Sequence, residues 1–154
     1  MKRKSVLSLS KYGIIAAVLY CIPLIFFIKS DKFSSTWLLY LGNALFLFYS
    51  FIFVAFFAEK NDSEISPLNA GMTVTITGII FSCILSLVCV LLFAPGLFHI
   101  GTGNEVLEKT PAALPTNNSH GIWILIFANV IIGNITAGTV GSVLARSATQ
   151  KRKV

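Results

Sequence analysis

Four long apolar runs without a single charged residue constrain this chain more than any other feature of its sequence. They cover residues 12–28, 37–58, 71–93 and 121–144. A helix rises about 1.5 Å per residue, so about 20 residues cross the roughly 30 Å hydrocarbon core of a bilayer. The runs therefore predict an all-α integral membrane protein, an antiparallel bundle of four transmembrane helices that forms a single membrane domain over residues 1–154.

The amino-acid composition excludes an ordinary soluble domain. Of the 154 residues, 55% are hydrophobic and only 12% are charged. Soluble domains carry about 25% charged residues, and half that share cannot cover a surface that faces water. The lipid bilayer is therefore the first partner that the sequence predicts.

The basic residues are concentrated in two tails, residues 1–11 and 145–154, which contain no acid and adjoin apolar runs. With both termini inside, nine Lys and Arg lie on the inner side, against three on the outer side: Lys29, Lys32 and Lys109. Cytoplasmic loops are enriched in Lys and Arg, so the count predicts cytoplasmic termini in a cell membrane, in bacteria the inner membrane. Basic tails beside apolar runs are typical of anchoring at lipid headgroups, and we expect no nucleic-acid partner.

The first apolar run has two interpretations. A basic start followed by an apolar stretch is typical of a secretory signal peptide, but such a peptide ends in a cleavage site of small residues. Here the run ends in the bulky residues Phe26, Phe27 and Ile28. This ending favours a retained first transmembrane helix, which Pro23 is expected to kink.

The last apolar run carries two columns of small or weakly polar residues at helical spacing. The first column recurs every fourth residue and contains Asn129, Gly133, Ala137 and Gly141. The second column contains Asn134, Gly138 and Ser142. Small residues let two helix backbones approach closely inside a membrane. We predict that both columns pack against another helix.

The third apolar run carries a matching stripe on one helical face, with spacings of three and four residues. Its members are Gly71, Thr75, Gly78, Ser82, Ser86 and Cys89. The match predicts that the third and fourth helices are in the closest contact within the bundle. Self-association is the alternative, because the pattern of the last run extends over about four helical turns.

Residues 94–120 form the longest polar segment, and Gly and Pro recur throughout it, so we predict an outer loop. Two histidines and two glutamates lie in this segment: His99, Glu105, Glu108 and His120. Such side chains can bind zinc, but their spacing here matches no known zinc motif. Long loops are often functional, which leaves a sensor or an enzyme that uses the loop as a hypothesis.

No residue pattern in the chain predicts catalysis. The four apolar runs contain no ionisable Asp, Glu, Lys, Arg or His, the residues that mark ion and proton pathways in membranes. The metalloprotease, nucleophile-elbow and phosphate-loop motifs are also missing from the sequence. Cys21, Cys83 and Cys89 lie inside apolar runs, where we interpret them as small packing residues. We therefore expect no enzyme activity, no metal and no cofactor.

Three short motifs resemble the small four-helix bacterial inner-membrane proteins of unknown function. Lys11-Tyr12-Gly13 begins the first helix, residues 66–78 lead from a polar linker into a small-residue helix, and residues 138–153 end in a basic tail. The resemblance implies a fold and a location. It implies no activity.

These observations lead to three hypotheses for function. The favoured one is a structural or accessory membrane protein that associates with itself or with a membrane-protein partner through its small-residue faces. The second is a small transport component, such as a channel-forming or holin-like oligomer. The third is a membrane sensor or enzyme that uses the outer loop, residues 94–120.

Overall fold

The computed structural model describes residues 3–30, 33–60, 66–94 and 119–151, and these are almost entirely helical. The helices in chain order are α1 (Arg3–Ser30), α2 (Trp37–Lys60), α3 (Pro67–Phe93), α4 (Ser119–Ala128) and α5 (Asn134–Lys151). A short 3-10 helix, Phe33–Thr36, precedes α2. A π-helical turn, Asn129–Gly133, joins α4 to α5, so residues 119–151 form one continuous helical segment, called the last segment.

Within the described residues, four stretches are long and apolar enough to cross a membrane. They are Leu9–Ser30, Ser34–Phe56, Pro67–Phe93 and Ile124–Ala148, with 22, 23, 27 and 25 residues. At about 1.5 Å per residue, each stretch is longer than a hydrocarbon core of roughly 30 Å. The prediction of an all-α chain with four helices of spanning length is therefore confirmed.

Two helices extend well beyond the apolar runs that predicted them. α1 begins at Arg3 rather than at residue 12, and α5 continues to Lys151 rather than ending at residue 144. Lys and Arg are good helix formers, so a charged residue ends an apolar run without ending the helix. The two basic tails are helical as far as the structure describes them.

α3 begins at Pro67, four residues before its predicted start at residue 71, and Ser66 caps it. The hydroxyl of Ser66 accepts a hydrogen bond from the backbone N–H of Asn69 at 3.3 Å, and Pro67 takes the first helical position. Proline suits this position because its fixed φ is helical and it has no N–H to leave unpaired. Residues 95–118, which are most of the predicted outer loop 94–120, lie outside the described part of the chain.

Contacts between helices are most extensive in two pairs. α3 packs mainly on α1, and the last segment packs mainly on α2. α1 also packs on α2 and the last segment on α3, while α2 meets α3 less extensively. The prediction that the third and fourth helices are in the closest contact is therefore wrong. A glycine on α1, outside the predicted stripes, accounts for the difference.

Gly13 brings the backbones of α1 and α3 together. A Cβ atom at this position would lie 2.8 Å from Thr77 Cβ, 2.9 Å from the Gly78 nitrogen and 2.9 Å from the Val74 oxygen. Since carbon atoms pack at about 3.5–4.0 Å, no side chain fits there. Gly78 in turn faces the ring of Phe46 on α2, with ring carbons 2.8 Å from the position of a Cβ. These two glycines set the spacing of α1, α2 and α3.

The interior between the helices is filled by large side chains. Among those that are 0% exposed are Tyr20, Leu24, Phe46, Ile126 and Val130. A second cluster of buried residues combines Leu9, Phe53, Val54, Ala70, Val74 and Ala145. Each cluster draws on several helices, so the helices depend on one another for their burial.

Candidate functional site

The first small-residue column of the last segment faces α2. Gly133 lies against the side-chain amide of Asn43, and a Cβ at Gly141 would lie 2.8 Å from the carbonyl oxygen of Leu47. Ala137, between the two glycines, is 6% exposed. This column is therefore covered by α2, whereas the matching stripe predicted that α3 would cover it.

The second column faces α3. Gly138 lies against the side chain of Thr75, and Gly71 lies against the side chain of Ser142. Both hydroxyls bond within their own helices, Thr75 Oγ1 donating to the Gly71 oxygen at 2.9 Å and Ser142 Oγ to the Gly138 oxygen at 2.7 Å. The contact between α3 and α5 at these positions is therefore close packing. The predicted α3 stripe is buried at every position: Gly71, Thr75, Gly78, Ser82, Ser86 and Cys89.

A cluster of hydrogen-bonded polar side chains connects α1, α2 and the last segment. It consists of Tyr20, Asn43 and Asn129 and is called the amide cluster. Asn43 Nδ2 donates to Asn129 Oδ1 at 2.9 Å. Asn129 Nδ2 donates to Tyr20 Oη at 2.9 Å and to the carbonyl oxygen of Leu39 at 3.4 Å. Tyr20 and Leu39 are 0% and 2% exposed, whereas the two asparagines are partly buried, so these bonds lie at the edge of the interior.

The Leu39 carbonyl fixes the direction of the bonds in the amide cluster. A carbonyl oxygen only accepts, so Asn129 turns Nδ2 toward Leu39 and Oδ1 toward Asn43. Asn43 must then donate through Nδ2, and its own Oδ1 is buried without a hydrogen-bond partner. An unpaired buried acceptor costs about 1–3 kcal/mol. The cluster therefore ends in one unfilled acceptor, Asn43 Oδ1.

The π-helical turn holds Asn43 at both of its ends. Asn129, the first residue of the turn, accepts the hydrogen bond of Asn43, and Gly133, the last residue, lies against the same amide. Val130, between them, is 0% exposed. π turns are rare and occur often at functional sites. Asn129 and Gly133, which both contact the Asn43 amide, are therefore the two ends of the same π-helical turn.

A groove with a volume of about 540 Å³ lies beside the amide cluster, between α2 and the last segment. It is called the lateral groove, and its walls include Asn43, Ala44, Leu47, Ala128, Asn129 and Ile132. Tyr40 and Ile132, which also line it, are each 66% exposed, so the groove opens to the outside of the helices. None of the described residues that line it is charged.

Further polar side chains are buried without partners on α2, α3 and α5. Asn134 is 0% exposed, and neither atom of its amide has a hydrogen-bond partner. The hydroxyls of Ser50 and Ser82, in residues that are 1% and 0% exposed, also lack one. Buried polar groups are nearly always paired, by protein or by ordered water, so this set needs a physical explanation.

Metal ligands do not converge in the described part of the chain, which contains no group of three or more His, Cys, Asp or Glu. Cys21 and Cys89 are buried free thiols, and Cys83 is a partly buried one. The loop residues considered for zinc, His99 and the two glutamates, lie outside the described residues.

Sequence reasoning missed the amide cluster and the lateral groove. It selects Asn129 as a packing residue but selects neither Tyr20 nor Asn43 as part of a site. One usable signal was present, because amides are rare in apolar runs and Asn43 is the only one in its run. Pairing it with an amide of the last run points to Asn129 or Asn134, and the structure selects Asn129.

Comparisons with known proteins gave no match. No protein-family model, no curated protein and no solved structure matches this chain. The resemblance to small four-helix inner-membrane proteins therefore stays a prediction. Function has to be inferred from the contacts of the chain itself.

Proposed function

We propose that this chain is a multi-pass membrane protein with a structural or accessory role rather than an enzymatic one, and that one chain completes the membrane domain. The observation that carries the proposal is that α2 and α3 cover both small-residue columns of the last segment. Free small-residue faces promote association between membrane helices. Because these faces are occupied within the chain, a membrane-protein partner would meet the outer surface of the domain instead.

Contacts along the helices support an antiparallel arrangement of consecutive helices. Tyr20 lies beside Gly42, whereas the ring of Tyr12 packs against the ring of Phe53 with centroids 4.7 Å apart. Position along α1 therefore rises as position along α2 falls. α3 and α5 are also antiparallel. Gly71 lies against Ser142, whereas Thr75, which comes later in α3, lies against Gly138, which comes earlier in α5. We infer an antiparallel bundle in which α1, α2, the last segment and α3 follow one another around the centre.

The outer surface supports insertion into a bilayer. Phe26, Phe48, Phe56, Leu92 and Ile124 are between 62% and 69% exposed. In water, large exposed apolar patches mark interfaces or cause aggregation, whereas lipid tails solvate apolar side chains. The basic tails then favour both termini on the cytoplasmic side of a cell membrane, the inner membrane if the chain is bacterial.

Labelling of single cysteines tests this orientation. In a chain whose three native cysteines are replaced by alanine, Glu108→Cys is expected to react with a membrane-impermeant maleimide in intact cells. Lys60→Cys is expected to react only after the membrane is permeabilised, because the positive-inside count places it in the cytoplasm. Both variants should react equally in detergent, which is the control. Labelling of Lys60→Cys in intact cells would contradict the orientation.

The purified protein is expected to be a monomer in mild detergent, and Gly141→Leu is expected to lower its thermal stability. The added side chain would collide with the Leu47 carbonyl of the same chain, and overpacking costs about 1–3 kcal/mol. Light scattering after size-exclusion chromatography measures the mass, and thermal melting measures the stability. Val140→Leu, at a position 42% exposed, is the matched control and should melt like the wild type. An oligomer that Gly141→Leu dissociates without lowering stability would contradict the proposal.

A second function, passage of a small polar solute, is favoured by one observation. Asn134, Ser50 and Ser82 are buried without hydrogen-bond partners, and water or a polar solute could supply the missing bonds. Liposomes that contain the purified protein separate the two functions. A structural role predicts no flux of potassium or glycerol, whereas flux that Asn134→Leu abolishes would support passage through the interior.

A further inference from the structure

We propose that the start of α1 and the end of α5 form one surface that binds the phosphate groups of anionic phospholipids. The surface is called the basic end, and it comprises the helical residues 3–11 and 145–151. The inference rests on the proposed membrane location, and it deepens the structural role by naming a lipid partner. Unlike two separate anchors, such a surface makes the lipid a stabiliser of the folded bundle.

Buried residues bring the two basic helical ends to the same end of the bundle. Leu9 and Ala145, which are 3% and 0% exposed, belong to one cluster that also draws on α2 and α3. From this cluster α1 continues as a helix back to Arg3, and α5 continues to Lys151. At about 1.5 Å per residue, each helix extends about 9 Å beyond the cluster. The basic residues from the two ends of the chain are therefore held side by side.

The net charge of the chain is concentrated at this end of the proposed bundle. The segments that belong there, residues 1–11, 59–66 and 145–154, carry nine Lys and Arg against three Asp and Glu. They account for the whole net charge of +6. The segments of the opposite end, residues 29–36 and 94–120, carry three basic and three acidic residues and are neutral. Each Lys or Arg near a membrane surface adds about 1 kcal/mol of attraction to anionic lipid, so the basic end is where such lipid would bind.

Lys11 and Arg146 lie where the lipid-facing surface ends. Both residues are exposed, and exposed apolar residues neighbour them on the membrane side: Ile14 and Ile15 on α1 and Leu144 on α5. Lipid headgroups form a layer about 5–8 Å thick on each side of the hydrocarbon core. Helical extensions of about 9 Å cross this layer. The basic end is therefore at the depth of the phosphate groups.

Folding of the bundle raises the density of positive charge at the basic end. When the cluster of Leu9 and Ala145 forms, the like charges of α1 and α5 come closer together than they are in separated helices. Like charges repel one another, and an anionic phosphate near both of them replaces this repulsion by attraction. The folded bundle therefore binds anionic lipid more tightly than the unfolded chain does. A ligand with this preference stabilises the folded state.

Thermal melting of the wild-type protein in dodecyl maltoside micelles tests the proposal. The micelles contain either phosphatidylcholine, which is zwitterionic, or phosphatidylglycerol, which is anionic, with the same acyl chains. Phosphatidylglycerol is expected to raise the melting temperature by about 3 °C relative to phosphatidylcholine, which corresponds to about fivefold tighter binding by the folded protein. Salt at about 0.5 M should remove the difference by screening. Equal melting temperatures in the two lipids overturn the proposal, and this comparison requires no variant to fold.

A soluble phosphate separates the lipid from a free anion. Glycerol 3-phosphate, added to the phosphatidylcholine micelles at the same concentration and ionic strength, carries a phosphate without acyl chains. It should leave the melting temperature unchanged, because only the lipid is held in the micelle at a high effective concentration beside the basic end. A rise equal to that with phosphatidylglycerol would overturn the assignment of a lipid as the partner.

Variants locate the surface. Lys11→Gln and Arg146→Gln each remove one charge at an exposed position and should each reduce the rise in melting temperature by about half or more. Lys29→Gln is the matched control, because it makes the same change at an exposed position near the opposite end of α1, and it should keep the full rise. A rise that persists in both basic-end variants would refute the site. Loss of the rise in only one of them would refute a surface shared by α1 and α5.

Light scattering on the same samples separates this proposal from the structural one. An oligomer whose melting temperature still rises with phosphatidylglycerol would contradict the single-chain domain and leave the basic end standing. A monomer that melts equally in the two lipids would do the reverse. An oligomer that melts equally in both lipids would overturn both.

Discussion

Replacing Gly13 by alanine is expected to destabilise the folded chain by about 2 kcal/mol. The new Cβ would lie within 2.9 Å of Val74 and Gly78 backbone atoms, which cannot move without shifting α3. Overpacking of a filled interior costs about 1–3 kcal/mol. In a helix without this contact, the same replacement would stabilise by about 0.5–1 kcal/mol. The sign of the change in the free energy of unfolding therefore shows whether α1 and α3 are in contact at Gly13.

Titration with sodium dodecyl sulfate, followed by circular dichroism, measures this free energy of unfolding in mixed micelles. Val18→Leu adds bulk on the same helix at a position that is 47% exposed, and its effect should stay within about 0.5 kcal/mol. If Gly13→Ala were neutral or stabilising, the close approach of α1 to α3 would be refuted.

Replacing Asn129 by leucine is expected to cost about 2 kcal/mol, because Asn43, Tyr20 and the Leu39 carbonyl all lose their partner together. Single interhelical hydrogen bonds in membranes average about 0.6 kcal/mol, so an effect of this size requires the whole amide cluster. Asn134→Leu is the matched control, because it also replaces an asparagine of the last segment by leucine. It removes a buried Asn without partners, so it should be neutral or stabilising.

A double-mutant cycle isolates the bond between Asn43 and Asn129. Asn43→Leu and Asn129→Leu together should cost about 1 kcal/mol less than the sum of the single changes, because the second change removes a group already left unpaired. The measurement is the same detergent titration. Additive effects would mean that the two amides are not coupled, and the hydrogen bond between Asn43 and Asn129 would then be refuted.

The class of the fold could be predicted because it depends on a property that every residue of a helix shares. Uncharged runs long enough to cross a bilayer admit essentially one secondary structure, since only helices satisfy their own backbone hydrogen bonds locally. The sequence also shows which residues of the last run and of α3 share a face, because helical spacing alone places them together.

The partner of each face could not be predicted, because spacing shows which residues share a face but not which helix meets it. Gly13 begins a short column of small buried residues on α1, with Ala17 and Cys21 at four-residue spacing, and a Cβ at Gly13 would meet the backbone of α3. The lateral groove is lined in part by Asn129 and Gly133, the two ends of the π-helical turn, and no residue pattern in the last run indicates this local change of helical register. Asn43 and Asn129 are 86 positions apart, so their bond exists only after folding.

The pairing of α3 with α1, and of the last segment with α2, makes the chain two helical hairpins that face each other. The first hairpin is synthesised before its counterpart exists. In the proposed membrane, helices insert before they associate, so Gly13, Asn43 and Phe46 face lipid until the second hairpin follows. The close approach at Gly13 and the bond from Asn43 to Asn129 can form only after the second hairpin is in place. The two hairpins are therefore complementary halves of one chain, and each half packs against the other.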